Sequence, residues 1–378
     1  MKLIVTLILS TSVFMTFAQE PKRARDYGIE IGVMKTGKYN AITDVPGVTV
    51  GHETIIKGDN IRTGVTAILP HQGNIFQKKV PAAIYIGNGF GKLAGISQVK
   101  ELGNIETPIL LTNTLSVPMG IQGTVKYTLG LKGNEAIGSV NVVVGETNDG
   151  YLNDIRGMHV SESNVIAAIN KAASGVVAEG NVGAGTGTRA FGFKGGIGTS
   201  SRKIPASLGG FTVGVLVQTN FGGVLTINGA PIGKELDQYP FQNAIQKSDG
   251  SCMMVVMTDA PLDARQLERV AKRAMMGLAK TGGIASNGSG DYVVAVSTAV
   301  SMRIANQTNE ITDQVNVLRN DNMSPIFIAT IEATEEAIIN SLFMAEIMIG
   351  KDGNQAEALP IDKIIPILKK FGAIKEDK

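Results

Sequence analysis

Apolar and polar residues alternate along this chain in short stretches, separated by glycine-rich punctuation. Val45, Val48 and Val50 alternate after the Pro46-Gly47 turn and predict a half-buried strand. Apolar runs of strand length recur at 82–86, 253–257 and 292–296, and further strands are predicted at 105–114, ending in hydroxyls and an amide, at 139–144 and at 325–331. Residues 211–218 and 224–227 predict two strands flanking Thr219-Asn-Phe-Gly-Gly223, a hairpin with Asn220 at its tip. A 3.6-residue period appears around Ile96, Val99 and Leu102, and again at Val165, Ile166, Ile169 and Ala172 behind a Ser161 or Ser163 cap. The clearest helix carries Leu267, Val270, Ala274 and Leu278 on one face and stops at Gly282-Gly283. Another opens at Thr334-Glu-Glu336 and runs through Leu342, Ala345 and Ile349, and a short amphipathic helix precedes the charged tail.

The first 18 residues differ from all of this. Lys2, the apolar run Leu3–Leu9 and the small residues Thr16 and Ala18 make a signal peptide with Gln19 as first mature residue. The expectation is an exported protein, periplasmic or secreted, with residues 19–378 forming one domain without linker or repeat. No later stretch reaches the roughly 20 apolar residues of a membrane span, so no membrane association is expected of the mature form.

Composition narrows the chemistry. Of 378 residues, 43% are hydrophobic and the net charge is +2, which argues for a substantial core and against nucleic acid as partner. Tryptophan is absent and cysteine occurs once, at Cys252, so no internal disulfide can form. His52, His71 and His159 show no ligand spacing, so neither metal nor cofactor is expected and each histidine reads as structural. The 46 glycines, about twice ordinary usage, lie between apolar runs and imply many tight turns. Gly87-x-Gly89-x-Gly91 follows a strand but lacks the full dinucleotide fingerprint, and Lys194-Gly-Gly lacks the phosphate-loop ending. The densest glycine segment, 183–202, fits a wall around an active site.

Ser251 holds the most suggestive position. It follows Gly250 at the mouth of the apolar run 253–257, after the polar approach Lys247-Ser-Asp-Gly250. Attack by the Ser251 hydroxyl on a strained Gly250–Ser251 bond would expose an α-amine beside a hydroxyl, the arrangement in which the amine is base for its own side chain. Such an amine titrates at roughly 7.7–8.0, close to what general base catalysis favours. The alternative is an ordinary Gly-Ser turn entering a core strand. Ser289 and Asp291 enter the strand at 292–296 at alternate positions; if its helix connection keeps that strand parallel to 253–257, they lie near Ser251. Glu146, Asp149 and Asp154 follow another strand, where acids bind a cationic group or simply make turns.

Taken together, Thr43-Asp-Val-Pro-Gly-Val-Thr-Val-Gly-His52, Gly87-Asn-Gly-Phe-Gly-Lys92, Glu106-Thr-Pro-Ile-Leu-Leu-Thr-Asn-Thr114, Gly192-Phe-Lys-Gly-Gly-Ile-Gly-Thr-Ser-Ser201, Gly250-Ser251 and Ser289-Gly-Asp291 appear in an order that resembles a known family. It is the self-processing N-terminal-nucleophile aminopeptidases: L-aminopeptidase/D-esterase, D-aminopeptidase and β-peptidyl aminopeptidase. The resemblance implies an α+β, four-layer αββα sandwich, similar to ornithine acetyltransferase. It implies cleavage at Gly250–Ser251 into chains 19–250 and 251–378 that stay together. It makes Ser251 the nucleophile, Ser289 and Asp291 its hydrogen-bonding and acidic partners, and Asn220 the oxyanion amide. Glu146 would grip the substrate's free amino group. Asn148 departs from the pattern, standing where some members place a tyrosine near the substrate. The implied substrates are small peptides, amides or esters with a free amino terminus, and the implied assembly is a homo-oligomer of processed chains. Preference among L-, D- and β-residues does not follow. The rival readings are an acyltransferase of the ornithine-acetyltransferase type, for which threonine is the usual nucleophile, and a non-catalytic glycine-rich binding protein.

Overall fold

The computed structural model describes residues 20–240 and 250–375. The signal-peptide reading of 1–18 and the polar approach 247–249 lie outside the described residues. The chain begins with an antiparallel pair, β1 (Thr49–Lys57) and β2 (Ile61–Leu69). Next come β3 (Lys78–Gly89), α1 (Ile96–Leu102) and the two-residue β4 (Asn104–Ile105), then β5 (Ile109–Asn113), α2 (Val117–Leu129), β6 (Val143–Thr147) and α3 (Glu162–Asn170). A small ribbon of β7 (Arg189–Ala190) and β8 (Phe193–Lys194) precedes β9 (Ile197–Lys203) and β10 (Thr212–Asn220). After the short α4 (Ile232–Glu235) the chain forms β11 (Ser251–Thr258), α5 (Ala264–Lys280), β12 (Gly290–Ser297), β13 (Ile304–Ala305), α6 (Ser324–Phe343) and α7 (Ile361–Lys370). Among the described residues, β1-β2-β5-β6 make a four-stranded sheet, and β13-β3-β12-β11-β10-β9, with β4 beside β3, make a seven-stranded one.

Side-chain alternation along each strand assigns these elements to four layers. In β11, Met253, Val255 and Met257 enter a core shared with Ile109, Leu111 and Val143 of the smaller sheet. Cys252, Met254 and Val256 enter the opposite core, with Leu267, Val270 and Ala274 of α5 and Ala333, Ala337 and Ile338 of α6. The outer face of the smaller sheet (Val65, Ala67, Leu110, Val144) packs on Val165, Ala168 and Ile169 of α3. The result is α2/α3, sheet, sheet, α5/α6: the αββα sandwich that the family resemblance implied.

Several predicted elements differ: the helix predicted through Ala345 and Ile349 ends at Phe343, with Ile349 in a two-residue strand (Met348–Ile349), and 224–227 form no strand. Residues 325–331 are not a strand but the first turns of α6, which opens with Pro325 in its first turn. From 332 to 343 every residue of α6 is buried, so no polar stripe marks a helical period. There is also no hairpin at 219–223. β10 pairs antiparallel with β9 on one side and β11 on the other, and Asn220 ends the strand opposite Ser251.

Candidate active site

The site forms at one end of the larger sheet, where β10, β11 and β12 terminate side by side. β11 and β12 are parallel and joined through α5, and their register sets Ser251 beside Gly290 and Cys252 beside Asp291. On the other flank Ser251 faces Asn220. Partners directly across a ladder share a face, so Asn220 and Ser251 point to the inter-sheet side. Cys252 points away, into the helix-side core; burial raises its thiol pKa well above the ordinary value, and it acts as a buried apolar side chain.

Backbone geometry around the Gly250–Ser251 peptide is specific. The Gly290 N–H donates to the Gly250 carbonyl at 3.2 Å and to Ser251 Oγ at 3.2 Å. One amide thus touches both the electrophile and the nucleophile of an attack by Ser251 on the preceding carbonyl. Gly250 is not in the left-handed region, so positive-φ strain is not its purpose. It is glycine for space: a Cβ there would collide with Asn220 O and Phe221 Cα. Ser251 is 6% exposed.

Asn220 is held by a bond from the Arg189 N–H to its Oδ1 at 3.1 Å, which directs the amide Nδ2 donor elsewhere. Ser289 and Asp291 are brought to the same strand end, but on the helix side of the sheet, like Cys252 and unlike the Ser251 side chain. Asp291 is therefore on the opposite face from the Ser251 hydroxyl, with the Cys252 N–H and the Ser289 hydroxyl as its neighbours. Burial pushes Asp291 up to about 6; the Ser289 hydroxyl and Cys252 N–H pull the other way. Neither Asp291 oxygen nor the Ser289 hydroxyl makes a well-formed hydrogen bond within the described residues. These buried oxygens are spare acceptors at the strand end that carries Ser251.

Glu146 comes from the smaller sheet, inside β6 rather than beyond it. It is 3% exposed and accepts from the Lys92 N–H at 2.9 Å and from the Thr114 hydroxyl. Glu146 Oε1 (2.9 Å) and Gly290 Cα (3.7 Å) both border the point where a Cβ on Gly91 would sit. Gly91, with φ +156°, leaves room for the carboxylate to approach the β12 end. Asn148 is not drawn into this cluster: it is exposed, and its Oδ1 accepts from the Gly150 N–H at 2.9 Å. Asp149 is buried among Thr63, Asn113 and Asn153 and pushed up to about 7 by burial. Asp154 pairs with His159 at 2.9 Å.

Several contributors were not singled out from sequence. Asn88 Nδ2 donates to Ser286 O at 3.0 Å and to Ser289 O, and the Phe90 N–H donates to Ser289 O at 3.2 Å, fixing the loop before Gly290. The β3–β12 register shifts beside Asp291, pairing it with Asn88 and Tyr292 with Ile86, so that Gly87 is bulged. Gly290 and Arg189 act through backbone amides, which no side-chain pattern reveals. Thr114 and Lys92 close two of the quoted motifs, but only the fold shows that both reach Glu146. The glycine segment 183–202 contributes Arg189 to the site. Its other glycines mostly admit close backbone approach; a Cβ on Gly198 would strike Ala337 O in α6.

The histidines lie elsewhere. His52 Nδ1 meets Thr66 Oγ1 at 2.9 Å, and burial lowers its pKa to about 4. His71 meets the Lys78 carbonyl at 2.8 Å. Among the described residues no group of three or more His, Cys, Asp or Glu is arranged to hold a metal, and no helix is long and apolar enough to cross a membrane.

Comparison with known proteins identifies the family and the fold. Residues 40–356 match the family described as peptidase family S58. The chain is 41% identical, over 93% of itself and 93% of the relative, to β-peptidyl aminopeptidase BapA of Sphingosinicella microcystinivorans. Among solved structures it superposes on a β-aminopeptidase of Burkholderia sp. with TM-score 0.85 and 39% identity, covering 93% of this chain and 99% of that one. It superposes equally on the L-aminopeptidase D-Ala-esterase/amidase of Ochrobactrum anthropi, with TM-score 0.86, 36% identity and the same coverages; that protein is described as a variant of the Ntn hydrolase fold. This chain belongs to peptidase family S58, the N-terminal-nucleophile aminopeptidases, and is a hydrolase of peptide bonds.

Proposed function

We propose that the protein is an exported serine aminopeptidase that activates itself by cleaving Gly250–Ser251. The observation that carries this reading is the Gly290 N–H, shared between the Gly250 carbonyl and Ser251 Oγ. Ser251 Oγ attacks the Gly250 carbon, and the developing oxyanion is met by that N–H. The peptide nitrogen leaves as the Ser251 amine, and water hydrolyses the resulting ester to a Gly250 carboxylate and the free serine. Chains 19–250 and 251–378 stay associated, since β10 and β11 are sheet neighbours on either side of the cut.

In the processed enzyme the Ser251 amine takes the hydroxyl proton as Oγ attacks the substrate carbonyl. Asn220 Nδ2 and the Gly290 N–H hold the oxyanion, donors already oriented before charge develops. Glu146 receives the substrate's ammonium group, which makes the enzyme an exopeptidase. The amine protonates the leaving group, and water then releases the acyl group from Ser251. Ser289 and Asp291 bind and orient the new amine. Substrates are short peptides, amides or esters; the relatives named for β-peptides make N-terminal β-residues the first to assay. Homo-oligomers of processed pairs complete the proposal.

Intact mass and N-terminal sequencing of purified protein test it. We expect two chains, the smaller beginning Ser-Cys-Met-Met. Ser251→Ala should remain one chain and lose on the order of 10⁴-fold or more in kcat. A wild-type protein that stays uncut yet hydrolyses peptides would overturn the mechanism.

A further inference from the structure

Arg189 is half-buried, and its guanidinium carbon lies 3.4 Å from the centroid of the Tyr151 ring. Nothing anionic among the described residues faces it: burial lowers its pKa, with only the Tyr151 phenol opposing. A desolvated cation without a counter-charge is costly. The fully buried Lys194 also has no ion-pair partner, but its ammonium donates to the Gly185 carbonyl at 2.9 Å and the Gly195 carbonyl at 2.6 Å. Arg202, fully buried, is bonded to Glu332 at 3.0 Å and Glu336 at 2.7 Å. The stacking on Tyr151 holds the Arg189 fork in place without using its donors.

Its position gives this spare charge a meaning. The Arg189 N–H holds Asn220, and Asn220 faces Ser251. Across the strand ends the order is Glu146 beside Gly290, then Ser251, then Asn220, then Arg189. Tyr151 is on the loop that leaves β6 just after Glu146 and is 38% exposed, so the stacked pair borders solvent. The Glu146 carboxylate thus lies toward Gly290 on one flank of the serine, and the Arg189 backbone, whose guanidinium is stacked on Tyr151, lies beyond Asn220 on the other. Neighbouring strands are about 4.8 Å apart, so the two-strand step from Gly290 to Asn220 covers about 10 Å, the length of roughly three extended residues.

We propose that Arg189, presented by Tyr151, recognises a carboxylate on the leaving-group side of the scissile bond, so that the preferred substrates are peptides of two or three residues with both termini free. The inference rests on the aminopeptidase reading centred on Ser251 and deepens it. Glu146 reads the ammonium, Arg189 reads the carboxylate, and the serine between them selects by length.

The test compares L-alanyl-glycine and β-alanyl-glycine with their C-terminal amides on the processed enzyme. We expect kcat/KM to favour the free acids by about 10- to 100-fold, the range of a hydrogen bond to a charged group, mainly through KM. Arg189→Met should bring the acid-to-amide ratio to near one, and Arg189→Lys should keep part of it. Tyr151→Leu, which leaves the Arg189 backbone alone, should lower the ratio several-fold and serves if Arg189→Met does not fold. A wild-type ratio near one, or a ratio unchanged in Arg189→Met or Tyr151→Leu, overturns the proposal. If wild-type protein hydrolyses none of the four, the aminopeptidase mechanism fails by itself. Calorimetric titration of the same acids and amides then still judges Arg189: tighter binding of the acids supports it, and equal binding overturns it.

Discussion

Two buried charge clusters in this protein are built on opposite principles. Around Arg202, almost every donor is used. Its guanidinium binds Glu332, Glu336, Ser200 Oγ at 2.9 Å, Ser201 O at 2.8 Å and Ile31 O at 2.7 Å. Glu336 also receives Arg25 at 2.7 Å and Asn40 at 2.5 Å, and Glu332 receives the Val33 N–H at 2.8 Å. Burial pushes Glu336 upward, yet the Arg202 charge and the Arg25 bond outweigh it and hold the carboxyl below its ordinary value. Around Ser251 the opposite holds: Asp291 and Ser289 are buried with spare acceptors, and Asp291 rises to about 6. Matched charge clamps the 20–40 segment, β9 and α6 together. Unmatched polar groups are kept at the strand end where the proposed mechanism has an amine to be received.

The largest expected effect comes from breaking the matched cluster. Arg202→Met leaves Glu332 and Glu336 buried with one cation fewer, which costs about 3–5 kcal/mol. Urea unfolding of the single-chain Ser251→Ala protein, with and without Arg202→Met, reads this directly. Activity of folded Arg202→Met enzyme should stay near wild type, because Arg202 touches nothing at the strand ends. A stability loss below about 1 kcal/mol would mean that the network is not the clamp described.

Asn220→Ala should give the converse result, with kcat down by about 10²- to 10³-fold, the loss seen when one oxyanion donor is removed, and little change in unfolding midpoint. Self-cleavage is the sharper assay: the Gly290 N–H already contacts the Gly250 carbonyl, so cleavage should slow less than turnover. Equal slowing of both steps would make Asn220 part of both oxyanion sites.

The two clusters also differ in how far the sequence reveals them. Ser251, Ser289 and Asp291 can be brought together from sequence because two strands and a connecting helix are recognisable, and a parallel arrangement aligns their starting ends. Asn220 is read from sequence as a hairpin tip within a turn-rich 219–223, whereas it ends β10, which pairs with a strand beginning at Ser251. Glu146 looks like a residue beyond its strand because the apolar run ends at Val144, while the ladder with β5 continues through Thr147. The Arg202 cluster cannot be read at all. Its members come from residues 25, 40, 202, 332 and 336: Glu336 reads as the opening turn of a helix and Glu332 as a residue between a strand and that helix, until α6 is seen to run from Ser324 with 332–343 all buried. Backbone donors such as Gly290 and Arg189 are invisible for the same reason: register, not residue type, creates them.

The smallest expected effect concerns Asp291 and tests whether cleavage turns the unmatched site into a matched one. Its folded pKa of about 6 is raised from 3.8, chiefly by burial. A raised folded pKa stabilises fully below pH about 4, where Asp291 is protonated in both states, and that contribution is lost as pH rises through about 6. The shift corresponds to at most about 3 kcal/mol at 1.36 kcal/mol per pKa unit. Between pH 4 and 7 the uncut Ser251→Ala protein should therefore lose up to that much relative to Ser251→Ala carrying Asp291→Asn, measured as the difference in urea stability. If cleavage frees a Ser251 amine beside Asp291, as proposed, its positive charge favours the charged carboxylate. In processed wild-type enzyme the difference from an Asp291→Asn enzyme should then shrink over the same window, or reverse sign. A pH dependence that is the same before and after cleavage would show that the new amine does not reach Asp291, leaving the Ser289 hydroxyl and the Cys252 N–H as its neighbours.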